Sequence, residues 1–264
     1  MASCLKCGKE FKEEIGKNHS LCIACREAMI KMPLSADGLV KETSAPDMSR
    51  MVFDDKYSTK ILLVRHGESL GNAKRMFLGH TDLDLSERGY IQAERTAEFL
   101  KDEKIDVIYS SSLIRAYNTA VPHAKIRSLD ILKSDEMREI FAGEWENRSV
   151  PELVEEYGDL FTIEWRQRFG TFCHLKSGES VPHLAERIYN EVERIARECV
   201  GKTVLIATHA AAIRSFWGKV TGTAPEDLND ALAFPQNASV SVVYFDGERL
   251  IPGEYSHAAH LTDL

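Results

Sequence analysis

The sequence has no hydrophobic run close to the roughly 20 residues that a membrane-spanning helix needs. It also has no excess of basic residues, because 33 lysines and arginines stand against 41 aspartates and glutamates, for a net charge of -8. A chain with this charge is not built to coat nucleic acid or an anionic membrane. Its first residues, Met-Ala-Ser-Cys-Leu-Lys-Cys, contain no apolar signal core. We therefore expect a cytoplasmic protein that binds neither membranes nor nucleic acid.

Cysteine is scarce and unevenly placed, with six in the chain and four of them near the N-terminus. Cys4 and Cys7 form one Cys-x2-Cys pair, and Cys22 and Cys25 form a second pair after fourteen intervening residues. In a reducing compartment two such pairs favour a metal over disulfides, and four thiolates suit a closed, tetrahedral structural zinc site. A redox-active pair of dithiols and an iron–sulfur site are the alternatives.

Residues 1–32 form the predicted zinc-binding module, whose pattern resembles a zinc ribbon or knuckle. This segment is too short to fold on an apolar core alone, so the metal would supply its folding energy. Six basic and four acidic residues, together with four thiolates and one zinc ion, leave a net charge of about zero. We therefore expect contact with a protein partner, self-association or a substrate-lid role rather than nucleic-acid binding.

The rest of the chain divides into a linker and one larger domain. Residues 33–58 contain proline, glycine and several hydroxyl residues with little apolar periodicity, which predicts a linker. From residue 59 to 264, short apolar runs at 61–65, 106–110, 204–208 and 240–245 alternate with helical periodicity. This pattern predicts a three-layer α/β domain, with a mostly parallel sheet and helices on both faces, preceded by the small zinc-binding module.

Three of the apolar runs lead into residues that suit a bound anion: Arg65 and His66 after the first, Arg115 in the helix after the second, and His209 after the third. Open α/β sheets bind ligands at the carboxyl ends of their strands, so we expect these side chains to share one pocket. Arginine forks bind phosphoryl oxygens, and a neutral imidazole can attack phosphorus. The alternatives are a structural role for each histidine and a surface salt bridge for Arg115. Four further histidines are expected on the surface or in loops: His80, His123, His174 and His183.

Glu139 is the candidate general acid for the leaving alkoxide. Burial near an anion would favour the protonated carboxyl group that this role needs. The alternative is a solvated acidic face, because Glu136, Glu144 and Glu146 are close to Glu139 in the sequence.

Five motifs occur in order along residues 60–255: Arg-His-Gly-Glu-Ser at 65–69, the Ser-Ser to Thr-Ala stretch at 110–120, Glu139 with Gly143 and Trp145, Gly-Glu-Ser at 178–180, and Thr-His at 208–209. Together they resemble the histidine phosphatase superfamily, which includes cofactor-dependent phosphoglycerate mutases and the broad-specificity and α-ribazole phosphatases. The resemblance implies that His66 becomes phosphorylated, that Glu139 donates the proton, and that no metal is needed for the chemistry. It implies that three residues hold the phosphoryl group, Arg65, Arg115 and His209, and it adds Asn72 as a further phosphate contact. An ordinary turn residue is the alternative for Asn72.

The sequence favours hydrolysis over mutase activity. Phe-Leu-Gly-His at 77–80 replaces the Phe-Thr-Gly-Trp usual in glycolytic mutases, and only about 40 residues separate Glu139 from Glu179, without the basic insert of those enzymes. We expect a phosphomonoesterase that hydrolyses a small phosphorylated metabolite through a phosphohistidine. A mutase-type transfer and a catalytically dead binding protein on the same fold are the alternatives. Residues 161–178 are predicted as either a lid over the site or an amphipathic cover helix, and Asn147 stands where glycine is common.

Overall fold

A computed structural model describes residues 58–172 and 177–264. It also gives the backbone of two short N-terminal strands, β1 (Ala2–Ser3) and β2 (Glu10–Phe11), which pair antiparallel. Several predictions fall outside the described residues: the zinc ligands, most of the linker and one of the four further histidines named above, that is Cys4, Cys7, Cys22, Cys25, residues 33–57 and His174.

Strands and helices alternate from residue 58 onward. In chain order they are β3 (Thr59–Arg65), α1 (Leu70–Ala73), β4 (Met76–Phe77), α2 (Glu87–Phe99), β5 (Val107–Ser111), α3 (Ile114–Arg127), β6 (Ile131–Ser134), β7 (Arg148–Ser149), α4 (Val150–Tyr157), α5 (Val181–Glu198), β8 (Lys202–Thr208), α6 (Ala210–Thr221), α7 (Leu228–Ala231), β9 (Val240–Phe245) and β10 (Leu250–Pro252). Single 3-10 turns lie at Asp135–Met137, Gly143–Trp145, Phe169–Thr171, Pro225–Asp227 and Ala259–Leu261, and a π-helical turn lies at Leu160–Trp165. The predicted α/β class is confirmed.

A six-stranded sheet in the order β10-β9-β3-β8-β5-β6 forms the centre of the domain. The strands β3, β8, β5 and β6 run parallel, whereas β9 and β10 are antiparallel at one edge. Arg65, the last residue of β3, lies opposite Thr208, the last residue of β8, and Ser110 of β5 pairs with Ala207. The three predicted strand ends therefore meet at the carboxyl end of a mostly parallel sheet, as expected.

Helices cover both faces of this sheet. Alternate residues of a strand point to opposite faces. Leu63 of β3 joins a buried cluster that includes Ile188 of α5 and Ile213 of α6. Its neighbour Leu62 joins a second cluster with Ala120 of α3. Burial on both faces explains why residues 61–64 of β3 form an unbroken apolar run instead of alternating with polar residues.

An aromatic cluster packs beside the carboxyl end of the sheet; its members include Phe77, Trp145, Phe161, Trp165, Phe169 and Phe172. Trp165 packs edge to face on Phe77 and Phe169, with ring centroids 4.9 and 5.0 Å apart. The described part of 161–178 forms a π-helical turn and a 3-10 turn rather than an amphipathic α-helix, and Phe161, Trp165 and Phe169 bury their rings. Within the described ranges, no helix is both long enough and apolar enough to cross a bilayer.

Candidate active site

His66 follows directly after β3 and is 4% exposed. Its Nδ1 lies 2.7 Å from the carbonyl oxygen of Gly67. A carbonyl only accepts, so Nδ1 carries the proton and Nε2 keeps its lone pair. Burial, and then the nearby charges of Arg115 and Arg65, hold the pKa of His66 well below its usual value. The ring is therefore neutral near pH 7 and can act as a nucleophile through Nε2.

His209 follows β8 and caps the N-terminus of α6. Its ring lies 5.2 Å from that of His66, and its Nε2 is 2.8 Å from the hydroxyl of Ser111, at the end of β5. That hydroxyl oxygen accepts the backbone N–H of Leu113 and keeps a proton that it can donate to Nε2 of His209. In that tautomer His209 carries its own proton on Nδ1, which has no hydrogen-bond partner among the described residues.

The two arginines are buried rather than placed in surface salt bridges. Arg115 is 1% exposed and donates to the carbonyl oxygens of Thr81 and Gly79, at 2.9 and 2.7 Å. Burial lowers its pKa to about 10, against the opposing charges of nearby carboxylates, so the guanidinium stays charged near pH 7. Arg65 is 3% exposed and donates through NH1 to the carbonyl oxygen of Pro235 at 2.6 Å.

The Glu139 carboxylate is not part of a solvated acidic face. It accepts the backbone N–H of Ile140 at 2.9 Å and those of Ala211 and Ala212, each at 3.2 Å. The last two belong to the first turn of α6, whose free amides and positive dipole end favour a carboxylate. Glu139 thus sits at the N-terminus of the helix that follows His209.

Asn72 stabilises the start of α1 and also lines the cleft. Its Oδ1 accepts from the backbone N–H and the hydroxyl of Ser69, at 3.1 and 2.9 Å, and so caps α1. Both acceptor bonds use the oxygen, so Nδ2 remains as a donor. Asn237, which the sequence did not single out, donates to the carbonyl oxygen of His66 at 3.0 Å.

One cleft, with a volume of about 80 Å³, is bounded by five of the predicted residues: Arg65, His66, Asn72, Arg115 and Glu139. His209 does not line this cleft, but its ring lies edge to face with that of His66, and it is fully buried. The rest of the lining is mainly apolar: Met76, Phe77, Leu78, Ile140, Trp165 and Phe234. In the described part of the chain, no group of three or more His, Cys, Asp or Glu residues could hold a metal ion.

Of the remaining histidines, His80 lies in a loop, as expected, whereas His123 is neither a surface nor a loop residue. His80 donates from Nε2 to the carbonyl oxygen of Glu139 at 2.8 Å. His123 in α3 is fully buried, and neither of its ring nitrogens has a partner among the described residues. Nothing in the local sequence marks the contact of His80, because its partner Glu139 lies 59 positions away along the chain. His183 is exposed, as expected.

Comparison with known proteins gives the same assignment as the motifs. The family model "Histidine phosphatase superfamily (branch 1)" matches residues 61–254. Phosphoserine phosphatase 1 of Hydrogenobacter thermophilus is 33% identical over 206 residues, which cover 78% of this chain and 95% of that protein. Phosphoglycerate mutase-like protein 4 of Arabidopsis thaliana is 31% identical over 218 residues, which cover 81% of this chain and 92% of that protein.

A similar solved structure is that of Bacillus stearothermophilus YhfR, with a TM-score of 0.71 and 26% identity. The match covers 77% of this chain and 99% of that one. The chain therefore belongs to the histidine phosphatase superfamily, branch 1, and is a phosphomonoesterase of that family.

Proposed function

We propose that the cleft hydrolyses a small phosphorylated metabolite in two steps through a phosphohistidine on His66. The observation that carries the proposal is the neutral His66 ring, whose Nε2 lone pair remains available in a cleft shared with Arg65, Arg115 and Glu139. Nε2 attacks phosphorus while the bond to the ester oxygen breaks. Glu139, whose protonated form is favoured by the negative charge of a phosphoryl group bound in the same cleft, gives its proton to the departing alkoxide. Water, activated by the same carboxylate, then attacks phosphorus and releases phosphate from His66.

Buried donors support this assignment of the phosphoryl site. Nε of Arg115 and Nδ1 of His209 have no hydrogen-bond partner within the described residues, and such buried donors are costly unless something accepts from them. Phosphoryl oxygens would satisfy both, with further donors from Arg65 and from Nδ2 of Asn72. Fixed cations at the equatorial oxygens stabilise the transferring group without reorganisation, so we propose that the chemistry needs no metal or other cofactor.

Hydrolysis is favoured over mutase transfer by the rest of the cleft. A mutase substrate carries a second charged end that needs its own cations, yet the described lining residues include no lysine and no arginine besides Arg65 and Arg115. A catalytically dead binding protein would not need to keep the His66, Arg115 and Glu139 arrangement. The mutase alternative makes a direct prediction, since added 2,3-bisphosphoglycerate would then be required for interconversion of phosphoglycerates.

We also propose that residues 1–32 bind one structural zinc through Cys4, Cys7, Cys22 and Cys25, and that residues 33–58 link this module to a phosphatase domain at 59–264. The antiparallel pairing of β1 and β2 supports this, because the two strands flank the segment that contains the first cysteine pair. A module with little net charge suits contact with a protein partner or self-association. We propose a cytoplasmic location, which suits reduced thiolates.

The proposed mechanism is tested by trapping the intermediate. Protein mixed with ³²P-labelled phosphoester and quenched in alkali should carry an acid-labile label on His66. His66→Ala should lose both the label and turnover of every phosphomonoester, whereas His183→Ala, at an exposed position, should keep both. An acid-stable label on serine, or turnover by folded His66→Ala protein, would show that the mechanism is wrong.

A further inference from the structure

Glu146 joins two segments that border the cleft. Its Oε1 accepts the backbone N–H of His80 at 2.6 Å and that of Ala142 at 3.1 Å. Its Oε2 accepts the hydroxyl of Thr81 at 2.8 Å. One carboxylate therefore ties the turn at 79–81 to the segment at 139–146, although the two are about sixty residues apart in the sequence.

The backbone at both segments is shaped for this contact. Gly79 has φ of +51°, and a Cβ there would lie 2.2 Å from Oε1 of Glu146. Only glycine leaves room for the carboxylate to approach the turn. Asn147, directly after Glu146, also has a positive φ of 56°, a conformation that asparagine tolerates better than most residues. The loop shape that glycine usually allows is thus kept by asparagine.

The turn at 79–81, which Glu146 holds in place, also positions Arg115. The carbonyl oxygens of Gly79 and Thr81 accept from NH2 and NH1 of its guanidinium at 2.7 and 2.9 Å. These two bonds set the plane of the guanidinium and leave the Nε–H and one N–H on each of NH1 and NH2 as donors. The position of the turn therefore decides where Arg115 presents those donors.

The same turn also reaches the proposed acid. Nε2 of His80 donates to the carbonyl oxygen of Glu139 at 2.8 Å, and its ring lies 5.2 Å from the ring of Phe141. Arg187 donates to the same carbonyl oxygen at 3.3 Å, so the Glu139 backbone keeps one support if His80 is changed. Neither His80 nor Glu146 lines the cleft.

We propose that Glu146 and His80 form a positioning clamp, in which Glu146 places Arg115 through the turn and His80 places Glu139. The proposal rests on the function proposed above and assigns roles to two residues that do not touch the phosphoryl group. Misplacement of a reacting group by about 1 Å can cost on the order of 100-fold in rate. The two halves of the clamp act on different steps, so their loss should be distinguishable: Glu146 governs phosphoryl binding, and His80 governs protonation of the leaving group.

The test uses the full-length chain with Glu146→Ala, Glu146→Gln, His80→Ala and His80→Gln. Two substrates are compared, p-nitrophenyl phosphate, whose leaving group needs no proton, and β-glycerophosphate, whose leaving group does. Inhibition by inorganic phosphate reports the phosphoryl site alone. Glu98→Gln removes an exposed carboxylate paired with Lys101 and serves as the matched control for charge, with unchanged kinetics expected.

Glu146→Ala should weaken phosphate inhibition by about 10-fold and lower kcat/KM for both substrates. Glu146→Gln should recover most of this, because its amide oxygen still accepts from His80 and its amide N–H can donate to the Thr81 hydroxyl. His80→Ala should leave phosphate inhibition within about 2-fold of wild type but lower kcat for β-glycerophosphate about 10-fold more than for p-nitrophenyl phosphate. The His80→Gln amide should restore part of that difference.

Thermal melts and near-UV circular dichroism establish whether each variant is folded. If an alanine variant is unfolded, the corresponding glutamine variant is used for the test. Unchanged phosphate inhibition in folded Glu146→Ala and Glu146→Gln would overturn the role of Glu146. Equal losses on both substrates in the His80 variants would overturn the role of His80. Failure of the proposed function looks different, because His66→Ala would then retain turnover whatever the clamp variants do.

Discussion

The rings of His66 and His209 lie 5.2 Å apart, centroid to centroid, and are inclined at 61° to each other. Both are buried, and burial is the largest cause that holds the pKa of each well below its usual value. The positive charge of Arg115 lowers the pKa of both rings further. The pair therefore combines a neutral ring with a free lone pair and a neutral ring with a free N–H, which suits attack on one face of a phosphoryl group and contact with its oxygens.

Glu139→Gln should slow esters with poor leaving groups far more than p-nitrophenyl phosphate. The amide keeps the shape of the carboxyl group but cannot supply a proton, and general acid catalysis contributes about 10²–10⁴-fold. Steady-state rates on β-glycerophosphate and p-nitrophenyl phosphate check this. Glu136→Gln, at an exposed neighbouring carboxylate, should behave like wild type on both. Equal losses on the two esters would exclude Glu139 as the acid.

Residues at the ends of regular strands could be predicted from the sequence. The positions of Arg65, His66 and His209 follow from buried apolar runs, because parallel strands align their carboxyl ends. The position of Arg115 follows in the same way, because it is the second residue of the helix after β5. The local sequence is enough to predict the positions of these residues, because each position depends on the pairing of a single strand with its neighbour.

Residues whose role depends on two distant loops could not be predicted. His80 binds Glu139 across 59 positions, and Glu146 binds the 79–81 turn across 65 or 66. Asn237 reaches His66 from 171 positions away. No local periodicity signals such contacts. The π-helical turn at Leu160–Trp165 could likewise not be predicted, because Phe161, Trp165 and Phe169 follow one another at the four-residue spacing of an ordinary amphipathic helix.

Chelation should leave hydrolysis intact over the time of an assay. The cations at the proposed phosphoryl site are the guanidinium groups of Arg65 and Arg115, which EDTA does not remove. Initial rates on p-nitrophenyl phosphate with EDTA, and with added magnesium, should agree within about 2-fold of the untreated protein. Abolished turnover that magnesium restores would contradict the proposed chemistry.

The buried His123 should make the fold sensitive to acid. Burial lowers its pKa to about 3 in the folded state, with smaller contributions from Arg127 and His260, whereas its unfolded pKa is about 6.5. Between these values the unfolded chain binds the extra proton, so stability is complete above about pH 6.5 and falls as the pH drops towards 3. The loss from this one group should be on the order of 2 kcal/mol at pH 4.5.

His123→Leu gives the matched comparison for that effect. Neither ring nitrogen of His123 has a partner in the described part of the chain, so leucine removes no hydrogen bond and should not destabilise the protein strongly at pH 7.5. Urea unfolding at pH 7.5 and pH 4.5 should show a smaller loss of stability on acidification in this variant than in wild type. An identical loss in both proteins would show that His123 is not the group responsible.

The cysteines near the N-terminus should hold a metal ion. We expect about one zinc per chain, bound through Cys4, Cys7, Cys22 and Cys25, because the spacing and four thiolates suit a closed tetrahedral site. Replacement of Cys4 and Cys7 by serine should release the metal, since two ligands are too few to hold it. Cys199→Ser, at a buried cysteine in the phosphatase domain, should keep the full zinc content. Metal analysis of protein prepared without chelator checks each of these values.

Deletion of residues 1–57 tests whether the active site works without the N-terminal module. The sheet begins at β3, and Ser58 bonds to Phe245 of β9 through its backbone N–H at 2.8 Å, so the truncated chain keeps every described element from β3 onward. A domain with its own core folds alone, and hydrolysis of p-nitrophenyl phosphate should therefore stay within about 3-fold of the full chain. Size-exclusion chromatography would show whether the module governs self-association. A truncated protein that is folded but inactive on this small ester would mean that the module contributes to the active site, because the cleft residues themselves are all retained.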